Sequence, residues 1–486
     1  MDTWFRTCLL LCLYGFFKEL RPSEPFLTEY LKQPPMNLTD DQVTYEVYPV
    51  WTYSYLSLLV VVFLLTDLLR YKLVIVAEGI GYVVTWSLLL WARGVPAMQL
   101  MEFMYGVATS TEVAYYTYIY AKVAGKFYQR VTSYTRAALL SGRFLSAVLS
   151  QVLTHTALMS YHDLNYVSLA SVSVAFILAC LLPSVSTSVY FHRQQYYVPT
   201  SEGSSSIQLS PTQQWQGDDS GGGSGGGGSV AVVATTAGGT GSGAGESWIV
   251  KFNKVLMLMW DDFQVAYSNK YLLKWSVWWA FATCGNFQVG NYIQPLWEQV
   301  QPVEEGETLY NGAVEAIQTL LSALSAFGVG YVHLNWELLG EGTLAVISIL
   351  DGVLLMTMGL SYNIIVTYTN YIIFRVSYQV LITIASYQVA KSLREDSYGL
   401  VFGINMFMSL LLQSLLTLIV VQVLHLSVHT QFIVYGVYFL LLAMVFLALS
   451  TYSLSSMGCA GIREAGVWEQ PIGSPQEAPL GCAESV

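Results

Sequence analysis

Two glutamates, Glu102 and Glu112, stand in the stretch MQLMEFMYGVATSTEVAYYTYIY at 98–120. As a helix that stretch can cross a bilayer, for which about 20 residues suffice. A carboxylate at that depth costs at least about 2.5–3.5 kcal/mol on insertion scales, so it normally faces a cavity or a partner. At about 100° per residue, Glu102, Tyr105, Thr109, Glu112, Tyr116 and Tyr120 share a sector of about 80°. The remaining face holds Phe103, Met104, Val107, Thr111 and Ala114. The two carboxylates lie about 15 Å apart along the axis, too far to share a proton, which argues against hydrolase chemistry. Three uses stay open: binding a cation, relaying a proton, or pairing with a base such as Lys18, Arg21 or Arg143.

Other polar groups at membrane depth converge on the same centre. RPSEPF at 21–26 places Glu24 in a proline-broken stretch, whose freed backbone groups can line a cavity. EVYPVWTYSY at 46–55 supplies Tyr48 and Trp51, GNFQVGNYIQPLW at 285–297 supplies Asn286, Gln288, Asn291 and Gln294, and YNGAVEAIQT at 310–319 supplies Glu315. Tyr, Trp, Asn and Glu together suit a flat, hydrogen-bonding, cationic heterocycle, through cation–π and charge-assisted contacts. Taken singly, the aromatic residues are packing or interface residues.

The elements that must position these groups are membrane helices. The chain of 486 residues is 54% hydrophobic and only 11% charged, with a mean hydropathy of +0.48. A soluble domain carries about 25% charged residues, so the composition indicates a multi-pass membrane protein. The net charge of −11 and the lack of basic stripes argue against a nucleic-acid binder. Cys8, Cys12, Cys180, Cys284, Cys459 and Cys482 form neither a CxxC pair nor a ligand-spaced set with histidines, so neither a zinc site nor a disulfide framework is expected. His155, His162, His192, His333, His425 and His429 are dispersed, which leaves a membrane enzyme without a metal or nucleophile–base constellation.

Apolar segments fall near 7–30, 51–69, 72–92, 97–121, 133–157 and 163–182, then near 271–296, 310–332, 342–361, 364–390, 398–422 and 430–453. Pro22 and Pro25 interrupt the first. Arg6 with TCLLLCLYGFF resembles the start of a signal peptide, but KELRPSEPF offers no small-residue cleavage site, so it is read as the first membrane helix. The halves are assigned to 1–183 and 271–454, joined by a flexible Gly/Ser-rich cytoplasmic linker at 184–270 and followed by a disordered cytoplasmic tail at 455–486.

Basic residues orient the chain. Arg70, Lys72, Lys122, Lys126, Arg130, Arg193, Lys251, Lys254, Lys270, Lys391 and Arg394 fall in the loops on one side, against Lys32 and Arg93 on the other. Both termini are therefore expected in the cytoplasm. The sequon Asn37-Leu38-Thr39 falls in the first outside loop, where glycosylation can occur. Six helices, a long inside loop and six more helices form the plan of a major facilitator transporter, an all-α fold with its site at the midplane between halves. TDLLRYK at 66–72 puts Asp67 and Arg70 where such transporters keep a gate motif, although ordinary loop charges would read the same.

RPSEPF, VWTYSYL, LTDLLRYK, EVAYYTYIY, YQRVTSYTRA, WSVWWAFAT, YNGAVEAI, ITIASYQVA and LVFGIN together resemble solute carrier family 19, the reduced folate carriers and thiamine transporters. The resemblance covers nearly all twelve helices and fails in the linker and tails. It implies alternating access without ATP, in the plasma membrane, with pH-dependent uptake and proton exchange as one reading. No cofactor is implied, and the Gly-rich linker lacks GxxxxGK[ST]. Folate carriers have an arginine at the position of Glu112 and a lysine at that of Gln413, so the resemblance favours the cation thiamine as small-molecule cargo. Reduced folate and pyridoxine remain alternatives, as does a non-transporting receptor. By resemblance, Glu102 accepts from the aminopyrimidine, Tyr105 and Trp51 pack on the rings, and Glu24, Asn291 and Glu315 complete the pocket. Tyr48 stands where a Phe is expected. Glu112 shapes the electrostatics, Arg375 is common to both branches, and Lys18, where no base is expected, can neutralise a nearby acid.

Overall fold

The computed structural model describes residues 3–69, 71–122, 128–185, 195–200, 203–208, 248–302, 309–329, 334–391, 393 and 398–465. The first spanning segment is broken, as its prolines dictate. Helix α1 (Thr3–Glu19) ends before a 3-10 turn at Glu24–Phe26, and α2 (Leu27–Lys32) resumes. Pro25 opens that turn, where its fixed φ fits and its missing N–H costs nothing. There follow α3 (Tyr48–Leu68), α4 (Lys72–Trp91), α5 (Val95–Lys122), α6 (Tyr128–His155) and α7 (Tyr161–Leu181). The second group is α9 (Lys270–Val300), α10 (Asn311–Val329), α11 (Trp336–Leu360), α12 (Ile364–Lys391), α13 (Tyr398–Thr417) and α14 (Val428–Ala465), with α8 (Trp248–Tyr267) leading into it.

Nine helices among the described residues are long and apolar enough to cross a membrane. Of the principal helices, α1, α5 and α9 fall outside that group. They are also the ones that carry Lys18 and Glu19, Glu102 and Glu112, and Asn286, Gln288, Asn291 and Gln294. Helix α1, at 17 residues, is short of a full span, whereas in α5 and α9 polar residues lower the apolarity because they face the protein's centre rather than lipid.

Two segments differ from expectation. The linker assigned to 184–270 forms, where described, an antiparallel hairpin of β1 (Gln195–Thr200) and β2 (Gly203–Gln208) as well as helix α8. Tyr267 at the end of α8 donates to Asn405 of α13 at 2.8 Å, so that end of the linker is tied to the bundle. The Gly-rich run itself, 209–247, lies outside the described residues, as does the tail from 466. The last helix continues past 455 to Ala465. Its apolar run ends earlier, but no proline or cap stops it.

Within the first group α5 packs on α3 and α4, and α1 on α6 and α7; in the second, α9 packs on α12, α13 and α14. The groups meet through α6 with α10 and α3 with α13. Glycine permits the closest of these approaches. A Cβ on Gly106 of α5 would run into Ser54 of α3, and one on Gly312 of α10 would press on the backbone of Gln151 in α6.

Polar ties between the groups gather at the centre and at the end that carries Asn37. Gln294 donates to the Glu24 carbonyl at 2.9 Å and accepts from the Thr28 amide at 3.1 Å. Asn311 donates to the Pro25 carbonyl at 3.2 Å, and Tyr45 to the Leu426 carbonyl at 3.1 Å. Lys32 bridges Asp40, at 2.6 Å, and Glu298 of α9. Partial burial pulls the Lys32 ammonium down, but the two carboxylates outweigh it and hold its pKa above the ordinary lysine value. The two groups are therefore tied together at the Asn37 end. Asn37 itself is exposed there, with a positive φ of 51°.

Candidate functional site

The stripe on α5 faces α1, the broken turn and α3. Tyr105 donates a 2.6 Å hydrogen bond to Glu24, and Arg21 lies 3.3 Å from the same carboxylate oxygen. The Trp51 indole donates to Thr109 at 3.1 Å, one turn beyond Tyr105. Glu112 accepts from Lys18 at 2.8 Å. The side chains of Tyr116 and Tyr120 lie outside the described residues, as do those of Asp67 and Arg70.

The two glutamates of α5 have different fates. Glu112 is held by Lys18, so the pairing reading applies to it. Glu102 is only 5% exposed yet has neither a hydrogen bond nor an ion pair among the described residues. The bases that could serve it are engaged elsewhere: Lys18 with Glu78 and Glu112, Arg21 with Glu19 and Glu24, and Arg143 with Glu19 at 2.6 Å. Its electrostatic neighbours are Glu24, Tyr48 and Tyr292, none of them a base. A buried carboxylate without a counter-charge is costly, and such a group is kept where something else supplies the charge.

Aromatic rings border this acid's neighbours. Trp51 stands 6.3 Å from Tyr105, 5.6 Å from Tyr55 and 6.0 Å from Phe287 of α9, so the cluster spans both groups. Thr52, next in sequence, accepts from Asn291 and from Gln413, each at 3.3 Å. The Gln413 carbonyl oxygen is buried without a partner among the described residues. Tyr48 lies behind this layer, its hydroxyl 2.6 Å from Thr28 and its ring 6.4 Å from Tyr292.

Other expected site residues are engaged within the protein. The Tyr105 ring joins Tyr82 and Trp86 around Arg21, whose guanidinium carbon lies 5.1–5.8 Å from the three centroids. This aromatic cage already holds a cation. Glu315 accepts from Tyr371 at 2.7 Å and Gln318 at 2.8 Å, and Arg375 lies over the Tyr371 ring and donates to Asn286 at 2.5 Å. Thus Glu24, Trp51, Tyr105 and Thr109 form one nest and Glu315, Tyr371 and Arg375 another, with Asn291 and Thr52 between the groups.

Sequence reasoning passed over Glu19, Thr52, Glu78, Tyr82, Trp86 and Phe287. Glu78 carried a signal, being a lone acid in the apolar run VIVAEGIGYVV. The rings had none, since an aromatic residue in an apolar helix reads as packing. Lys18, singled out as a base able to neutralise an acid, does contact two acids.

The helical halves, their pairing and a charged centre define a major facilitator-type membrane transporter. The crystal structure of a D-xylose–proton symporter has the same fold, with a TM-score of 0.59 at 11% identity over 91% of this chain and 97% of that one. Residues 2–434 match the Reduced folate carrier family. Thiamine transporter 1 of Mus musculus is 44% identical over 98% of this chain and 94% of its own length. Thiamine transporter 2 of Homo sapiens is 43% identical over 98% and 96%. The chain belongs to the reduced folate carrier family. It is a transporter and not an enzyme, and its relatives include both kinds of thiamine transporter at nearly equal identity.

Proposed function

We propose that this protein takes up thiamine by alternating access between its two six-helix halves, 1–183 and 271–454. The observation that carries the reading is Glu102, a buried acid with no base among the described residues. Thiamine brings a permanent thiazolium charge and an aminopyrimidine donor, which match one carboxylate and neighbouring rings. Trp51 and Tyr105 border the rings, with Glu24, Tyr48, Asn291 and Glu315 lining the remainder. Glu112 supplies negative potential without touching cargo. A folate carboxylate would add a negative charge beside Glu102 and gain no base at Gln413, and an unmatched buried charge costs several kcal/mol.

The protein works in the plasma membrane with both termini in the cytoplasm, Asn37 glycosylated outside, and Asp67 and Arg70 at the inner gate. The basic residues of the connecting loops support this orientation. The tied Asn37 end then corresponds to a state closed to the outside.

Uptake of labelled thiamine and of a labelled reduced folate, in cells lacking both native carriers, tests the reading. Saturable thiamine entry without folate entry is expected. Folate entry alone overturns it, and entry of neither points to a receptor. Loss of a gel shift on Asn37→Gln checks the orientation.

A further inference from the structure

Helix α8 lies between the Gly/Ser run and the second group, and nothing in the cargo path uses it. Only Ser268 and Asn269 separate it from α9. Its last residue, Tyr267, donates to Asn405 at 2.8 Å. Asn405 belongs to the stretch Leu400–Val423, which is long and apolar enough to cross the membrane. At 1.5 Å per residue it sits about 8 Å inside the start of that stretch. The C-terminal end of α8 is therefore held at the depth of the headgroups rather than out in solution.

The sequence of α8 divides cleanly around its axis. At about 100° per residue, the sector of about 120° from Ala266 to Trp260 holds only apolar and aromatic residues. Met259, Phe263, Leu256 and Tyr267 lie between those two, in that order. Asn253 and Gln264 follow directly on the far side, then Asp261 and Lys254 opposite the stripe. Along it, Trp260 stacks on Phe263 with centroids 5.3 Å apart, and Phe263 meets Tyr267 at 4.8 Å.

The bundle covers one edge of this stripe and leaves the other. Ala266 is 7% exposed, and Met259 and Phe263 are partly exposed. Leu256 is 40% exposed and Trp260, at the far edge, 58%. An open stripe of this width on a surface helix marks a docking face. What it meets follows from where it leads. Two residues on, α9 exposes Leu273 and Val277, one turn apart, on its lipid-facing side. The stripe thus continues the apolar surface of a membrane helix, and Trp and Tyr are the residues that favour the membrane–water boundary.

We propose that α8 is an interfacial helix that docks on the phospholipid surface at its end of the bundle, with Leu256 and Trp260 entering the boundary between headgroups and acyl chains. Asn253 and Gln264, which flank the stripe there, are uncharged, so the adsorption is hydrophobic and needs no anionic lipid. Through Tyr267 and Asn405 it ties the second group to the membrane surface. The proposal is independent of the cargo.

The full-length protein in phosphatidylcholine nanodiscs, with native cysteines replaced, tests it. A fluorophore is placed on Leu256→Cys, in the stripe, or on Lys254→Cys, opposite it. Lipids carrying a nitroxide near the headgroup quench the first label at least about twofold more than the second, as an adsorbed apolar face requires. High salt leaves the difference intact. Adding Trp260→Glu removes at least about half of it, and Trp260→Phe retains it. Equal quenching at the two positions overturns the proposal, as does a difference lost in salt or indifferent to Trp260→Glu. A Leu256 label shielded from a water-soluble quencher but untouched by the lipid nitroxide also overturns it, and assigns the stripe to another chain segment or a second copy.

Discussion

Tyr105 donates its hydroxyl to Glu24 at 2.6 Å, joining the middle of α5 to the proline-broken turn 81 positions earlier in the chain. The contact ties α5 to the short 3-10 turn that begins at Glu24. The same residue's carbonyl accepts from Gln294 of α9. A side chain on the stripe is thereby connected, through one residue, to the opposite half.

Tyr105→Phe keeps the ring and removes the bond to a charged acceptor, worth about 1.5–3 kcal/mol. Thiamine KM is expected to rise by about tenfold or more, with surface amount unchanged. A normal KM in a normally expressed variant removes this bond from the cargo path.

Glu102→Gln relieves a buried charge that lacks a counter-charge in this state. The purified, cargo-free variant is expected to be more stable, its Tm raised by about 2–4 °C for a gain of about 1 kcal/mol. A lower Tm would mean that Glu102 has a structural partner after all. Stability gained where function is lost marks a residue kept for its cargo.

Lys32→Ala releases Glu298 and Asp40 at the Asn37 end. A partly exposed bridge is worth up to about 1 kcal/mol, so the open population rises by up to about fivefold. A cysteine in place of buried Thr28, labelled from outside by an impermeant thiol reagent, reports it. Equal labelling with and without Lys32 refutes the latch.

Gly106→Val drives a branched side chain into Ser54, where α5 and α3 touch. Overpacking of this kind costs about 1–3 kcal/mol. Less protein should reach the surface and its Tm should fall. An unchanged Tm would show that the two helices can separate without loss.

Much of this arrangement was legible in the sequence. Pro22 and Pro25 marked the break after α1, and helical spacing put Glu102, Tyr105, Thr109 and Glu112 on one face, where Tyr105, Thr109 and Glu112 meet α1, the turn and α3. What spacing cannot give is the partner across a helix interface. Glu102 and Glu112 look alike along α5, yet one meets Lys18 and the other no base, because α1 brings its ammonium only as far as the lower turn. For the same reason Tyr105, read as a surface for cargo, also packs on Arg21, whose long side chain reaches Tyr82 and Trp86. Helix α8 was hidden by its neighbour, since the Gly/Ser run beside it coloured the reading of the whole linker.

The central claim is that Glu102 supplies the charge that holds a cationic cargo. Equilibrium binding of thiamine to purified wild type and Glu102→Gln, by titration calorimetry at matched folded fraction, tests it most directly. The account predicts saturable binding to the wild type and at least about a tenfold loss, some 1.4 kcal/mol, in the variant. Equal affinity in the two proteins would contradict it.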